Sequence, residues 1–234
     1  MSILRSLAAV ILTAGLLMAP AQAATFIFKS GGAFLDMPTG NVATDCGTAN
    51  IDLCTADDSL GFTYSKDGVL FTSRAYQYTD DTYAERAATL LIQDITPENS
   101  GLGAFSENDI QNDQTQFNSL EAIEFVFAGP VSLTNIEFNA GDDQDCSRGT
   151  LTEGPCGDFE LWIDGMYLAT ITAVDLLTDI FTGTVFEFRA VTPDAGFVIA
   201  QFGVLNEAPL PAALPLLLAG LGGLGFASRR RKTT

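Results

Sequence analysis

The residues best suited to chemistry are carboxylates, because the chain contains 29 aspartates and glutamates and no histidine. Without histidine, nucleophilic systems of the Ser-His-Asp or Cys-His kind cannot be assembled. Two carboxylates could serve as the acid and the nucleophile of a glycoside hydrolase, but the sequence marks no pair as unusual. We therefore expect a protein without enzymatic activity, and a carboxylate-dependent hydrolase is the less favoured alternative.

An acidic loop beyond residue 140 has the composition of a calcium site. Calcium binds about six to eight oxygen atoms, and alternate aspartates such as Asp143 and Asp145 allow a loop to wrap around the ion. The complete EF-hand pattern is absent, so acidic turns exposed to solvent are the competing interpretation. A second acidic stretch, residues 107–113 ahead of Glu121, is a further candidate. The candidate ligands in the first loop are Asp142, Asp143, Asp145, Glu153 and Asp158.

Aromatic side chains could instead bind a sugar ring by stacking. Trp162 precedes a tight turn, and Tyr76, Tyr78 and Tyr83 flank Asp80-Asp81. We expect Trp162 to lie in the core, because tryptophan is highly buried on average. The tyrosine segment could line a carbohydrate groove or form an exposed loop tip. A carbohydrate-binding module is therefore one alternative for the function.

The elements that must hold these residues are β-strands. Ten short runs rich in β-branched and aromatic residues, several with alternating polarity, are separated by turn sequences. This pattern predicts an all-β fold, a single antiparallel β-sandwich of jelly-roll-like form over residues 24–206. The predicted strands are Thr25–Phe28, Gly61–Tyr64, Val69–Ser73, Ala88–Gln93, Ala122–Phe127, Val131–Phe138, Phe159–Ile163, Tyr167–Thr172, Val185–Arg189 and Phe197–Phe202.

Local signals add detail to this fold. The apolar phase slips between Leu133 and Ile136, which predicts a β-bulge. The sequence Ile163-Asp164-Gly165-Met166 predicts a hairpin with a two-residue type I′ turn. Residues 128–130, Ala-Gly-Pro, predict a turn between two strands. Residues 82–88 form the only stretch to which we assign a helix.

The amino terminus has the three parts of a signal peptide. A basic start at residues 1–5 is followed by an apolar run, residues 6–18, and by the small-x-small pattern Ala21-Gln22-Ala23. The apolar run is too short to span a bilayer comfortably. We predict that residues 1–23 are removed by cleavage between Ala23 and Ala24.

The carboxyl end carries a second apolar segment. Residues 208–227 contain no charge and precede a basic cluster. A bilayer core needs about 20 apolar residues in helical form, and a basic flank favours the cytoplasmic side. Early prolines limit the helix to about residues 212–227, which is short for a permanent anchor. We predict a transmembrane segment at residues 207–227 and a cytoplasmic basic tail at residues 228–234.

The order of motifs in this tail resembles a known sorting signal. The sequence Ala208-Pro209-Leu210-Pro211-Ala212, an apolar stretch and the cluster Arg229-Arg230-Arg231 are similar to the VPLPA type of PEP-CTERM signal. Ala208 stands where that pattern has valine. The resemblance covers Ala208–Thr234 and implies recognition by a sorting protease of the exosortase or archaeosortase type. It also implies a transient hold in the inner membrane and delivery to the cell surface or extracellular matrix.

The body has a looser resemblance to β-sandwich domains of PEP-CTERM proteins. It covers residues 99–165 and depends on a Gly101-Leu102-Gly103 turn, an acidic loop and a glutamate, Glu121, that opens a strand. This similarity implies the fold class and the surface setting and transfers no activity. The single Gly-x-Gly lacks the third glycine of a dinucleotide fingerprint.

Four cysteines occur as two close pairs. In an exported chain an even number of cysteines indicates disulfides, and three connectivities are open. We choose Cys46–Cys54 and Cys146–Cys156, because each closes a short polar loop. Zinc is disfavoured, because the chain has neither Cys-x-x-Cys spacing nor histidine.

The charge of the chain excludes one class of partner. It has 11 basic and 29 acidic residues and a net charge of −18, and six of the basic residues lie between Ala24 and Asn206. Nucleic-acid binding requires a lysine and arginine patch, so we expect no nucleic-acid partner. The acidity could attract a divalent cation or a cationic partner, or could serve solubility alone.

These features predict an exported cell-surface or extracellular-matrix protein with a non-enzymatic adhesive or structural role. Calcium is the one cofactor considered, and exopolysaccharide is a candidate partner.

Overall fold

The computed structural model describes residues 23–29, 35–40, 42–44, 53–55, 60–80, 82, 84–93, 95, 101–105, 120–140, 144–145, 156–173, 176–191 and 197–206. Throughout these residues the regular structure is β, as the sequence predicts, and residues 23–206 form one compact unit. The strands are β1 (Ala23–Ile27), β2 (Val42–Thr44), β3 (Leu53–Thr55), β4 (Phe62–Lys66), β5 (Val69–Tyr78), β6 (Arg86–Gln93), β7 (Leu102–Phe105), β8 (Glu121–Ala140), β9 (Gln144–Asp145), β10 (Asp158–Ile163), β11 (Met166–Thr172), β12 (Phe181–Ala190) and β13 (Phe197–Asn206).

The strands form one antiparallel sheet that closes on itself. Its hydrogen-bonded path runs β1-β13-β7-β6-β5-β8-β12-β10-β11, and β13 also pairs with β8. Strands β13, β7, β6, β5 and β8 therefore form a closed circuit, and β12, β10 and β11 extend the sheet beyond β8. Such closure protects strand edges and gives the barrel-like arrangement an enclosed interior.

Strand β8 joins the extension by pairing with β12, and it closes the circuit because its other edge changes partners along its length. As far as Phe127 it pairs with β5, and from Val131 it pairs with β13. The residues between these two parts are Ala-Gly-Pro, for which we predicted a turn between strands. That prediction was wrong, since β8 continues through these residues, and the register against β12 shifts between Gly183 and Val185.

Two other local predictions are confirmed. Asn135 of β8 has a positive φ of 49°, and the register against β13 shifts at this point, as expected for a bulge between Leu133 and Ile136. At the other site Asp164 and Gly165 have φ values of 51° and 78°, and their flanking residues pair with each other. Both central residues of a type I′ turn require positive φ, which is why Asp-Gly is favoured there.

Phenylalanine fills the interior. Alternate residues of the central strands face inward, so that the rings of several strands meet in edge-to-face contacts. Phe26 and Phe71 have ring centroids 4.8 Å apart, and those of Phe125 and Phe202 are 5.0 Å apart. A second group of rings around Phe138 continues this core, and all its members are fully buried: Phe138, Phe159, Phe188 and Phe197.

The helix assigned to residues 82–88 is wrong. Thr82 lies in a turn, and from Arg86 onward the chain is strand β6, paired with β5. Hydrogen bonding to a neighbouring strand therefore overrides the local helical preference, which is only a weak prior. Among the described residues no helix has the length and apolar character needed to cross a membrane. Residues 1–22 of the predicted signal peptide and the whole predicted tail, residues 207–234, lie outside the described residues.

The glycine at position 101 has a steric role, because a Cβ built there would lie 2.5 Å from the carbonyl oxygen of Ile199. We predict that Gly101→Ala lowers the free energy of unfolding by about 1–3 kcal/mol, through this backbone clash. Gly129→Ala is the matched control, because nothing lies within 4 Å of its Cβ position. Thermal melts of both variants check this, and equal stability would contradict it.

Candidate binding site

Polar and aromatic side chains occupy the face of the sheet opposite the core. Alternate residues of a strand point to opposite faces, so the buried Phe125 and Phe186 place their neighbours Glu124 and Glu187 on this outer face. The strand registers align one row of side chains across four strands. From β5 through β8 and β12 to β10, the row is Arg74, Glu124, Glu187 and Trp162.

The two glutamates of this row lie directly opposite each other on adjacent strands. Like charges at such positions destabilise a sheet unless a cation compensates them. Arg86, from the start of β6, supplies that cation. Its Nη2 donates to Oε2 of Glu124 and its Nη1 to Oε2 of Glu187, both at 3.1 Å. We call these three residues, Arg86, Glu124 and Glu187, the clamp. Its glutamate side chains are 9% exposed and its arginine side chain is 35% exposed, so the clamp lies at the surface of the site.

A second guanidinium lies against two aromatic rings. The Nε of Arg189 donates to Oε1 of Glu187 at 2.9 Å. Its guanidinium carbon lies 3.9 Å from the ring centroid of Trp162 and 4.8 Å from that of Tyr78. Arg86 is placed in the same way, 3.8 Å above the ring of Tyr76. Cation–π contacts of this kind fix the ring planes as well as the charges.

The polar groups of the aromatic residues are also bonded. The hydroxyl of Tyr76 donates to Oε1 of Glu124 at 3.1 Å, and the hydroxyl of Tyr78 donates to Oε1 of Glu187. The Nε1 of Trp162 donates to Oε2 of Glu160 at 2.9 Å. Each of the two glutamates that Arg86 bridges therefore accepts hydrogen bonds from arginine and from tyrosine. Such a network holds its members in one geometry before any ligand arrives.

The network shifts the titration of its members. Burial lowers the pKa of Arg86, but the carboxylates of Glu187 and Glu124 outweigh that effect and raise it, so the guanidinium stays charged. Burial raises the pKa of Tyr78, and its hydrogen bond to Glu187 raises it further. Burial and the charge of Glu124 likewise raise the pKa of Tyr76. Both tyrosines therefore remain neutral hydrogen-bond donors.

A pocket of about 300 Å³ opens at this network. Its walls include both arginines, both glutamates and the rings of Trp162 and Tyr78. This volume is at the low end for sites that bind small molecules. The lining thus combines two aromatic rings with hydrogen-bond donors and acceptors in fixed positions.

The sequence predicted part of this site, and the prediction for one of its residues was wrong. Tyr76 and Tyr78, proposed for a carbohydrate groove, do lie together here, and Tyr83 lies outside the described residues. The expectation that Trp162 belongs to the core was wrong, because the ring is only partly buried and lies against Arg189 on the outer face. Its hairpin turn and its register with Glu187 bring it there.

The charged residues of the pocket were not selected from the sequence. A usable signal was nonetheless present, since charges alternate with buried phenylalanines in Phe186-Glu187-Phe188-Arg189. This alternation places both charges on the face opposite the core. The partners, Glu124 and Arg86, are distant in sequence and are paired only by the strand order.

The calcium prediction concerns a different region. Asp142, Asp143 and Glu153 lie outside the described residues, Asp145 belongs to β9, and Asp158 accepts a hydrogen bond from Thr172 Oγ1 at 2.7 Å. Among the described residues no three or more metal-ligating side chains cluster. Calcium binding by the acidic loop therefore stays a prediction.

The remaining predicted residues lie mostly outside the described part. Cys54 and Cys156 are not free thiols, and the pairs that we predict would join them to Cys46 and Cys146, which are outside it. The sorting motif at residues 209–212 and 229–231 is outside it too. Cleavage between Ala23 and Ala24 would remove the first residue of β1.

Comparison with known proteins gives no relative from which a role could be transferred: the chain matches no protein-family model and no curated protein.

The raised pKa values of the tyrosines predict loss of stability in alkali. A tyrosine whose pKa is higher in the folded state makes its full contribution to the stability of the fold below its unfolded pKa of about 10. This contribution is lost as the pH rises through the pKa of the folded state. We expect Tyr78→Phe to be less stable than the wild type near pH 8, because Glu187 loses a donor. Above about pH 10 its stability should fall less steeply. Urea unfolding at both pH values measures this, and parallel pH profiles would contradict it.

Proposed function

We propose that the protein is an exported, non-enzymatic surface or matrix protein whose β domain, a jelly-roll-like sandwich, binds an extracellular partner. The observation that carries this is the pocket in which Arg86 bridges Glu124 and Glu187 beside the partly exposed ring of Trp162. A preorganised pocket of paired charges serves recognition better than packing, because burying ion pairs adds little stability. The sandwich is supported by β8, which passes from pairing with β5 to pairing with β13 next to a register shift, as strands that switch sheets do.

A binding role fits the two glutamates better than hydrolysis does. A glycoside hydrolase needs one carboxyl group that gives a proton to the leaving oxygen. Here Glu124 and Glu187 both act as acceptors, each from a guanidinium and a tyrosine hydroxyl. Neither is therefore arranged as a proton donor. A carbohydrate-binding module is the form of the proposal that the aromatic walls favour, and a carboxylate-dependent secreted hydrolase is the less favoured form.

Export and sorting are the second half of the proposal. The signal-peptide pattern before Ala24 and the PEP-CTERM-like tail from Ala208 support it. A sorting protease of the exosortase or archaeosortase type would recognise the tail while it is held in the inner membrane. The protein would then reach the cell surface or matrix, where exopolysaccharide is a candidate partner.

Deletion of residues 208–234 tests the sorting role. We expect the shortened chain to be trapped in the periplasm or released, because the segment that holds it at the inner membrane is gone. Immunolabelling of intact cells and fractionation measure the result. A matched deletion of residues 232–234, which keeps the Pro motif and Arg229–Arg231, should leave the surface level unchanged. Full surface display without residues 208–234 would refute the sorting role.

Calcium assistance has a separate test. If the loop at Asp143 and Asp145 binds calcium, the ion stabilises the folded chain and raises its melting temperature in a concentration-dependent way. We expect Asp143→Asn combined with Asp145→Asn to abolish this shift, because two ligand charges are lost. The control is Asp67→Asn, in the β4–β5 turn. A melting temperature that is the same in calcium and in chelator would remove calcium from the proposal.

A further inference from the structure

The charges of the pocket compensate one another. Arg86 and Arg189 face Glu124 and Glu187, so that the two positive and two negative groups cancel. The two carboxylates already occupy the guanidinium groups and would repel an anionic ligand. The two guanidinium groups would repel a cationic ligand. The pocket therefore favours an uncharged ligand.

The same groups select a ligand with many hydroxyls. A carboxylate only accepts hydrogen bonds and a guanidinium only donates them, so a partner must be able to do both. Hydroxyl groups meet this requirement because each donates and accepts. The side chain of Arg86 remains 35% exposed at the pocket, which leaves part of it accessible to a ligand.

The aromatic walls select a ligand with flat apolar faces. Arg189 supports the ring of Trp162 at 3.9 Å, and Tyr167 meets it edge-on with centroids 5.7 Å apart. The indole is thereby held in one orientation while it lines the pocket. A fixed ring plane next to hydroxyl-binding groups matches a pyranose, which has an apolar face of C–H groups and an edge of hydroxyls.

We propose that this pocket binds one ring of a neutral saccharide, with Trp162 as the stacking surface and Arg86, Glu124 and Glu187 as hydrogen-bonding partners. This inference rests on the proposed binding function and names its ligand class. The pocket volume of about 300 Å³ suits one ring at the end of, or within, a longer glycan.

The test uses the full chain, produced with its own export and tail segments and purified in mild detergent. An array of neutral and acidic glycans, together with the polysaccharide of the producing cells, identifies the ligand. Calorimetry with the best neutral oligosaccharide then compares Trp162→Ala and Arg86→Gln with wild type. The matched control is Lys66→Gln, which breaks a similarly exposed ion pair, with Asp36, that is not part of the pocket wall.

We expect Trp162→Ala and Arg86→Gln each to weaken binding about tenfold or more, with Lys66→Gln close to wild type. Binding should change little between low and high salt, because the ligand carries no charge. Arg86 also holds the buried glutamates, so Arg86→Gln could misfold. In that case Trp162→Ala and Trp162→Phe decide the test, and Trp162→Phe should retain part of the affinity.

Three results would overturn the assignment. The first is that no neutral glycan binds at millimolar concentration. The second is that only acidic glycans bind, with a steep dependence on salt. The third is that Trp162→Ala binds with wild-type affinity. None of them bears on export, which the deletion of residues 208–234 decides. Failure of the sugar assignment is thus distinguishable from failure of the sorting proposal.

Discussion

The outer face of the sheet depends on one constraint, the placement of Glu124 directly opposite Glu187 on adjacent strands. Two largely buried carboxylates at this separation repel each other strongly, and their repulsion grows as water is excluded. Arg86 makes the arrangement stable by bonding to both of them. The positions of the tyrosines and of Arg189 follow, because each of them donates to one of these carboxylates or stacks beside it.

The core and the pocket are two faces of the same strands. Phe125 fills the interior while its neighbour Glu124 faces outward, and the same relation holds between Phe188 and Glu187. The phenylalanine contacts fix the strands relative to one another, and with them the positions of the charged groups. A shift of one residue in the register would exchange the two faces, so packing in the core also protects the geometry of the pocket.

Much of the fold could be predicted because its signals are local. Runs of β-branched and aromatic residues, several with alternating polarity, located nine of the strands, two of the ten predicted runs being parts of β8. The phase slip at Leu133–Ile136 located a bulge, and Asp164-Gly165 specified its turn. The short strands β2, β3, β7 and β9 were missed, since two to four residues carry no readable period. The clamp could not be predicted, because Arg86 lies 38 residues from Glu124 and 101 from Glu187. Only the strand order brings such residues together.

The placement of the few basic residues argues that the pocket has a role of its own. The chain has 11 basic residues against 29 acidic ones, so cations are scarce. Lys29 and Lys66 each bridge one carboxylate, whereas Arg86 and Arg189 converge on Glu187. Apolar side chains of similar size would stabilise this face at least as well, because paired buried charges roughly offset their own desolvation. The clustered charges therefore contribute what apolar residues cannot, a rigid set of hydrogen-bond donors and acceptors beside an aromatic ring.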